Sequence, residues 1–464
     1  MHASPAPNKD GLTAQLIDWT LRLRWSDVPA DAQRAARRHL LDTLGCIVAG
    51  AQQPLTRRAA ATLAAVRQGG ELIVPGLAQR TDLLDAVYLA GVSAHGLELD
   101  DGYREGSTHP GAVVVPAALA TAMEAEASIE DLLTAVVAGY EVMTTIARLA
   151  HPAMRRRGFH PTATSGVFGA TVAAARLRKL NREQFANALG VAGSSAAGLF
   201  AFVSGGADVK RLHPGHSARE GVFAVLLAER GLQGPPAVLE GPDGFFQAFA
   251  DAQAARVPVA LPPAGEWGVT RCYLKPYPCC RHLHPALDAI LEIAATHPLR
   301  AEDVERIDIE TYGIAAAHAQ IGWGDFASSQ LSFPFAVATM LRHGGVELEH
   351  FGDAARADAA TTALCPRVHV TASEAMDVRY KTGRPARVTI TVGGQTFSAE
   401  RDEALGSPQQ PLDRAAVDRK FATLIDDVVG GDQRGRLQAM LWGEDPSVTV
   451  CDLLQSTLPK GTRS

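Results

Sequence analysis

Six of the 15 histidines in this 464-residue chain are each followed directly by proline, where composition alone predicts roughly one such pair. The pairs begin at His109, His151, His160, His213, His284 and His297. Proline favours the first turn of a helix, so the histidine before it is expected at the N-cap. Free backbone N–H groups there attract anions, and an imidazole can bind a carboxylate or pass it a proton. Several such helix starts around one cavity would form an acid–base site for carboxylates; alternatively, each histidine only caps its own helix.

Acidic side chains precede the first of these pairs. Glu98, Asp100 and Asp101 lie within eleven residues of His109 in the segment "HGLELDDGYREGSTH". Carboxylates in such a group can orient a histidine or act as a general base. They can equally cap a loop, and the sequence leaves both interpretations open.

A lysine and an arginine precede His213 in "GGADVKRLHPGH". The two glycines predict a mobile loop that presents Lys210 and Arg211. A lysine near a helix start is electrostatically unfavourable, so a bound anion would explain it. The alternative is a solvated loop lysine.

The segment "YLKPYPCCRHLHP", residues 273–285, combines cationic, imidazole and thiol groups. Its basic and imidazole side chains are Lys275, Arg281, His282 and His284. Cys279 and Cys280 raise the alternatives of a zinc site or a cysteine nucleophile. Vicinal cysteines with these histidines match no common zinc spacing, and nothing in the sequence marks either thiol as activated. We therefore predict an anion-binding cluster and no metal.

Composition excludes several classes of partner. The net charge of −6 and the absence of a dense basic stripe argue against nucleic acid. Charges interrupt the apolar runs well before about 18 residues, so no membrane span is predicted. Six cysteines with a vicinal pair suit a reduced cytoplasm. No phosphate-binding loop, dinucleotide fingerprint or serine-nucleophile elbow is present.

The hydrophobic pattern predicts a mostly α fold in which a smaller α+β segment interrupts a helical domain. Alanine-rich helical periodicity covers residues 1–265 and returns in residues 405–464. Residues 266–404 contain short alternating runs, and two of them flank Gly393-Gly394, which predicts a β-hairpin.

Five segments together resemble the MmgE/PrpD superfamily, in order from about Thr13 to about Leu405. They are "AHGLELDDGYREGSTHPGAVVVPAALA", "RGFHPTATSGVFGATVAAARL", "DVKRLHPGHSAREGVFAVLLAERG", "EGPDGFFQAF" and "CYLKPYPCCRHLHPALDA". The resemblance implies a helical domain with a lid, a homodimer, no cofactor, and a small di- or tricarboxylate substrate bound between the domains. It implies catalytic roles for His109, His160, Asp100, Asp101, Lys210 and Lys275. We add Arg281, His284, Glu98 and His213 as predicted substrate-binding residues.

Three positions depart from the pattern of the decarboxylase branch of this superfamily. Glu98 replaces an aspartate, Gly102 replaces a threonine, and Phe335 stands where a lid tyrosine is expected. The last two changes remove hydroxyl groups that could contact substrate. We therefore predict a cofactor-free hydro-lyase, with His109 and His160 transferring protons. The alternatives are an epimerase of a dicarboxylate and, with less support, a decarboxylase or a non-catalytic carboxylate binder.

Overall fold

A computed structural model describes residues 11–66, 69–204, 208–251, 259–262, 265–445 and 447–462. The chain divides into two compact units. The first comprises residues Met1–Tyr273 and Asp413–Ser464, and the second comprises Leu274–Leu412. Helices dominate the described residues, which confirms the predicted mostly α class. The domain boundaries at 265/266 and 404/405 and the lid role stay predictions.

The first unit is a set of closely packed helices with one short β-ribbon. Its N-terminal helices are α1 (Leu12–Arg22), α2 (Ala30–Gly50), α3 (Pro54–Val66), α4 (Leu83–His95), α5 (Gly111–Glu124), α6 (Ile129–Ala150), α7 (Ala153–Arg156), α8 (Pro161–Leu177), α9 (Arg182–Ser194), α10 (Asp208–Glu229) and α11 (Phe245–Phe249). Strands β1 (Leu72–Ile73) and β2 (Arg80–Thr81) form the ribbon.

Small residues let these helices approach closely. A Cβ atom added to Gly91 in α4 would lie 2.7 Å from the Cα of Gly215 in α10. Helix α6 is long and apolar enough to span a membrane by length and composition, but 89% of its most apolar window is buried. Its apolar residues are therefore explained by its place in the core of the first unit.

The second unit is built on a four-stranded sheet of order β4-β3-β5-β6. Strand β3 (Val304–Thr311) is parallel to β4 (Val368–Ala372) and antiparallel to β5 (Ala386–Val392), which pairs with β6 (Gln395–Arg401). Gly393 and Gly394 have φ of 57° and 73°, the left-handed geometry of a tight hairpin turn. The predicted hairpin is confirmed.

Seven further helices belong to the second unit, and three more complete the first. The second unit contains α12 (His284–Thr296), α13 (Gly313–Ala316), α14 (Phe326–Ser329), α15 (Phe333–His343), α16 (Asp353–Arg356), α17 (Ala359–Thr362) and α18 (Glu374–Tyr380). The chain then adds α19 (Arg414–Val429), α20 (Gly431–Trp442) and α21 (Val450–Gln455) to the first unit.

The histidine–proline pairs occupy varied places in helices, which corrects the N-cap prediction. Only His160 is an N-cap, before Pro161 at the start of α8. Pro110, not His109, is the N-cap of α5, because its carbonyl accepts the first hydrogen bond of the helix, from the Val114 N–H at 2.9 Å. The other four histidines lie inside α10 (His213), at the first residue of α12 (His284), and at the C-caps of α6 and α12 (His151 and His297).

Lys210 requires a second correction. It lies in the first turn of α10 and not on a loop, because helical geometry already begins at Asp208 and continues through Pro214. The predicted glycines Gly205 and Gly206 lie outside the described residues.

Candidate functional site

The turn that follows α4 gathers carboxylates between two imidazoles. Glu98 adopts the left-handed backbone region with φ 55°, so the turn is tight. The Asp100 Oδ2 atom lies 2.8 Å from His95 Nδ1 and 3.3 Å from His109 Nδ1. Burial raises the pKa of Asp100, but the two imidazoles lower it more, so its pKa lies well below the ordinary value. Asp100 is therefore an anion held between two rings.

His109 has one defined tautomer when it is neutral. Its Nδ1 atom lies 2.6 Å from the backbone oxygen of Asp101, which can only accept a hydrogen bond. Nδ1 therefore carries the proton, and Nε2 presents a lone pair. The His109 side chain is 14% exposed, whereas that of Asp100 is fully buried. This is the arrangement of a general base with an oriented ring.

Asp101 anchors the start of α5. Its Oδ1 accepts a hydrogen bond from the Gly111 N–H at 2.8 Å. Its Oδ2 accepts one from the Tyr140 hydroxyl at 2.8 Å and lies 2.9 Å from His39 Nδ1. The two predicted aspartates thus differ: Asp100 contacts His109 through its carboxylate, and Asp101 does so through its carbonyl.

A lysine from the C-terminal segment holds the other side of the acidic turn. Lys420 in α19 donates to the Leu99 carbonyl at 2.9 Å and pairs with Asp42 of α2 at 2.5 Å. Burial raises the pKa of Asp42, and Lys420 acts in the opposite direction. The backbone of Leu99, in the acidic turn, is therefore held by a helix more than 300 positions away in sequence.

Four histidines form an array beside this turn, defined here as His95, His109, His160 and His213. The ring centroids are 4.8 Å apart for His95 and His109, 6.4 Å for His95 and His160, and 5.1 Å for His160 and His213. The Nδ1 atoms of His160 and His213 are 2.9 Å apart, so one donates a hydrogen bond to the other.

Burial keeps most of the histidine array neutral. It lowers the pKa of His95 to about 4, although Asp100 opposes the shift. It lowers the pKa of His213 to about 4, with His216 acting in the same direction. The pKa of His160 falls well below the ordinary value through burial and then through His213. A neutral imidazole can accept a proton at one nitrogen and donate a hydrogen bond from the other.

Lys210 projects from α10 to the acidic turn and forms an ion pair with Glu98. Both side chains are largely buried, at 14% and 7% exposure. The structure thus brings together seven of the ten predicted site residues within the first unit: Glu98, Asp100, Asp101, His109, His160, Lys210 and His213.

The three remaining predicted residues belong to the second unit. Lys275, Arg281 and His284 are all buried there. Arg281 donates to the carbonyls of Leu405 and Ala404 at 2.7 and 2.9 Å. It also lies 3.2 Å from His284 Nδ1, which must accept because a guanidinium only donates. These contacts stabilise the segment at residues 404–405, and the predicted carboxylate-binding role of the three stays a prediction.

His95, Asp100 and His109 also lie close enough to share a metal ion, with candidate ligand atoms within 4.8 Å of one another. Each imidazole, however, presents Nδ1 to an oxygen acceptor. A metal ligand needs a lone pair at that atom, not a proton. While these hydrogen bonds are kept, the two Nδ1 atoms are donors and not ligands, so an ion could be bound only through the Nε2 atoms.

Two family models match the chain in sequence order. The MmgE/PrpD N-terminal domain matches residues 14–257, and the MmgE/PrpD C-terminal domain matches residues 277–443. The chain belongs to the MmgE/PrpD family. The resemblance inferred from the sequence motifs is confirmed.

Similar proteins of this family are named as decarboxylases. A cis-aconitate decarboxylase-like protein of Aspergillus oryzae is 25% identical over 485 residues, which cover 98% of each chain. The cis-aconitate decarboxylase of Aspergillus terreus is 24% identical over 471 residues, or 96% of each chain. The human cis-aconitate decarboxylase is 25% identical over 352 residues, covering 72% of this chain and 71% of its own. These matches support a lyase-type function.

Three residues of this candidate site, His95, His39 and Tyr140, were not predicted from the sequence of this MmgE/PrpD protein. His95 lies inside the quoted acidic segment but lacks a following proline. His39 and Tyr140 sit on apolar helices, and their shared acceptor Asp101 is distant in sequence. The sequence signal that could have indicated them is a polar residue at a position where the helical pattern predicts burial, as at His39 in α2.

Proposed function

We propose that this protein is a lyase that removes water from a small di- or tricarboxylate without a cofactor. The observation that carries the proposal is the orientation of His109. Its Nδ1 proton is held by the Asp101 carbonyl at 2.6 Å, and its partly exposed ring lies beside the anionic Asp100. A ring fixed in this way can accept a proton at Nε2, and Asp100 stabilises the imidazolium that results.

The proposed reaction uses two imidazoles and one ammonium group. His109 removes a proton from the carbon next to a substrate carboxylate. His160, held neutral by burial, donates a hydrogen bond to the departing hydroxyl group, and His109 returns the proton that it has taken, so that the hydroxyl leaves as water. Lys210 binds a carboxylate and releases part of its interaction with Glu98. Lys275, Arg281 and His284 are proposed as further carboxylate-binding groups.

The surroundings of Gly102 differ from those expected for the decarboxylase branch, in which a threonine stands at this position. A Cβ atom at this residue would lie 2.2 Å from the Tyr273 hydroxyl oxygen. The tyrosine ring therefore occupies the space that a threonine side chain would need. Residue 102 thus supplies no hydroxyl for a substrate contact.

Decarboxylation is the second candidate because the named relatives match over nearly the whole chain. In that reaction carbon dioxide leaves, and an acid of the site protonates the remaining carbanion. The same His109 and His160 would serve, with a different bond broken.

A panel of acids in deuterated water distinguishes these reactions. The purified chain is incubated with malate, citrate, 2-methylcitrate and cis-aconitate, and alkene absorbance, carbon dioxide and product mass are followed. We expect a new alkene and loss of the mass of water from one hydroxy acid. Carbon dioxide release from cis-aconitate would instead identify a decarboxylase. Deuterium incorporation with inverted configuration and no mass loss would identify an epimerase. No turnover of any of the four acids would contradict the proposed dehydration and would support a non-catalytic carboxylate binder.

A further inference from the structure

Cys280 and His318 form a pair in the second unit that the carboxylate chemistry does not use. The Cys280 Sγ atom lies 3.7 Å from His318 Nε2. His318 lies on a short 3₁₀ turn, Ala317–Gln320, and both side chains are partly exposed. The sequence alone did not distinguish Cys280 from its neighbour Cys279, which is fully buried.

The tautomer of His318 is fixed. Its Nδ1 atom lies 2.8 Å from the backbone oxygen of Leu331, which only accepts hydrogen bonds. Nδ1 therefore carries the proton, and Nε2 directs its lone pair at the thiol. A base within reach of a nucleophile and itself oriented by a third group is the general signature of an activated nucleophile.

One short segment holds both partners in place. The Cys280 N–H donates to the Gln330 carbonyl at 2.9 Å, and the next carbonyl, Leu331, accepts from His318. The fully buried Gln330 side chain donates to the Pro278 carbonyl at 2.8 Å. The Cys280 backbone and the His318 ring are thus bonded to consecutive carbonyls. This arrangement keeps the thiol and the imidazole aligned.

The other five cysteines differ from Cys280 in exposure. Cys46, Cys272, Cys279 and Cys365 are buried, and burial raises the pKa of Cys272 and Cys365. Cys451 on α21 is exposed, and its sulfur accepts a hydrogen bond from Gln455. Cys280 therefore combines partial exposure with an imidazole contact at its sulfur.

We propose that Cys280 is a nucleophilic site for soft carbon electrophiles, with His318 as its base. His318 Nε2 takes the thiol proton as sulfur forms a bond to carbon. With an α,β-unsaturated carbonyl compound, the electron pair of the double bond moves to the α-carbon, which receives the proton from His318. With iodoacetamide, the carbon–iodine bond breaks and iodide leaves. Neither reaction needs an oxidant or a reductant.

Site-resolved alkylation tests this proposal. The native full-length chain is treated with limiting iodoacetamide at pH 7, and the labelling rate of each cysteine is measured by peptide mass spectrometry. We expect Cys280 to react roughly tenfold faster than the more exposed Cys451, because activation raises the thiolate fraction. A Cys280 rate equal to or below that of Cys451 would overturn the proposal without any variant.

A matched variant separates base chemistry from packing. His318→Asn retains a donor toward the Leu331 carbonyl but removes the Nε2 atom. We expect Cys280 labelling in H318N to fall roughly tenfold, to the rate of an ordinary thiol. Cys451 labelling should stay unchanged, which controls for global unfolding. A folded H318N chain with the wild-type rate at Cys280 would show that the imidazole contact is structural only.

Discussion

At the scale of single residues, burial and hydrogen bonding set the protonation of the site. His109 keeps its proton on Nδ1 because a carbonyl accepts it, while burial lowers the pKa values of the other three rings of the histidine array. The tautomer and the pKa values therefore depend on neighbouring atoms in the fold. The sequence identified His109, His160 and His213 through their prolines, but it could not assign a tautomer to any of them.

His95 is expected to make folding stability depend on pH. Its pKa of about 4 in the folded chain lies below the ordinary 6.5, so the unfolded chain binds more protons between these values. Stability is therefore lost as pH falls through this window, by roughly 2 kcal/mol between pH 7 and pH 5. His95→Asn retains a donor toward Asp100 but cannot titrate.

The measurement is denaturant unfolding of the wild type and H95N at pH 7 and pH 5. We expect the wild type to lose about 2 kcal/mol more than H95N over this interval. Equal losses in the two chains would contradict a neutral, buried His95.

Lys210 is expected to act in substrate binding. Lys210→Met removes one charge-assisted contact to a carboxylate, worth about 1.5–3 kcal/mol, so KM should rise roughly tenfold or more. Glu98→Gln is the matched variant, because it releases Lys210 from its ion pair and should lower KM. Steady-state kinetics on the acid that the wild type converts checks both. An unchanged kcat/KM in K210M would show that the ion pair is only structural.

At the scale of elements, the site depends on helices that are distant in sequence. The start of α5 is anchored by Asp101 through Gly111, and the acidic turn is held by Lys420 of α19. The sequence predicted the helices, the Gly393–Gly394 hairpin and the N-cap at His160. It did not predict the N-terminal extension of α10 past Lys210, because glycines precede this helix and proline interrupts it. Long-range contacts such as Lys420 to Leu99 have no local signal.

Removal of Lys420 is expected to destabilise the first unit. Lys420→Met leaves Asp42 buried without its cation, and such a loss costs about 3–5 kcal/mol. The double variant K420M/D42N removes both charges and should regain most of this stability. It still lacks the donor to the Leu99 carbonyl, so its kcat should stay roughly tenfold or more below wild type.

Denaturant unfolding and kcat measured on the same preparations separate these effects. A double variant with wild-type kcat would show that Lys420 stabilises the fold without positioning the acidic turn. A single variant as stable as the wild type would contradict the buried ion pair itself.

At the scale of the whole molecule, family motifs carried more information than composition. Charge and apolar content argued against nucleic acid and membrane partners, and the ordered motifs placed the chain in the MmgE/PrpD family, as both family models confirm. The substrate, the homodimer and the cytoplasmic location stay predictions, since they depend on partners and surroundings. The division into two compact units reflects the contacts within each unit. The sequence indicates this division only by its change from a helical to an alternating hydrophobic pattern.

The turnover number of His109→Asn tests the central claim most directly. Asparagine preserves a donor toward the Asp101 carbonyl but lacks the Nε2 atom, so the acidic turn should remain intact while the base is lost. We predict a fall in kcat of about 10²- to 10⁴-fold on the acid that the wild type converts. His369→Asn, at an exposed position on β4, should leave kcat unchanged. A folded H109N chain with kcat within about threefold of the wild type, well below the loss expected for a missing general base, would contradict the account.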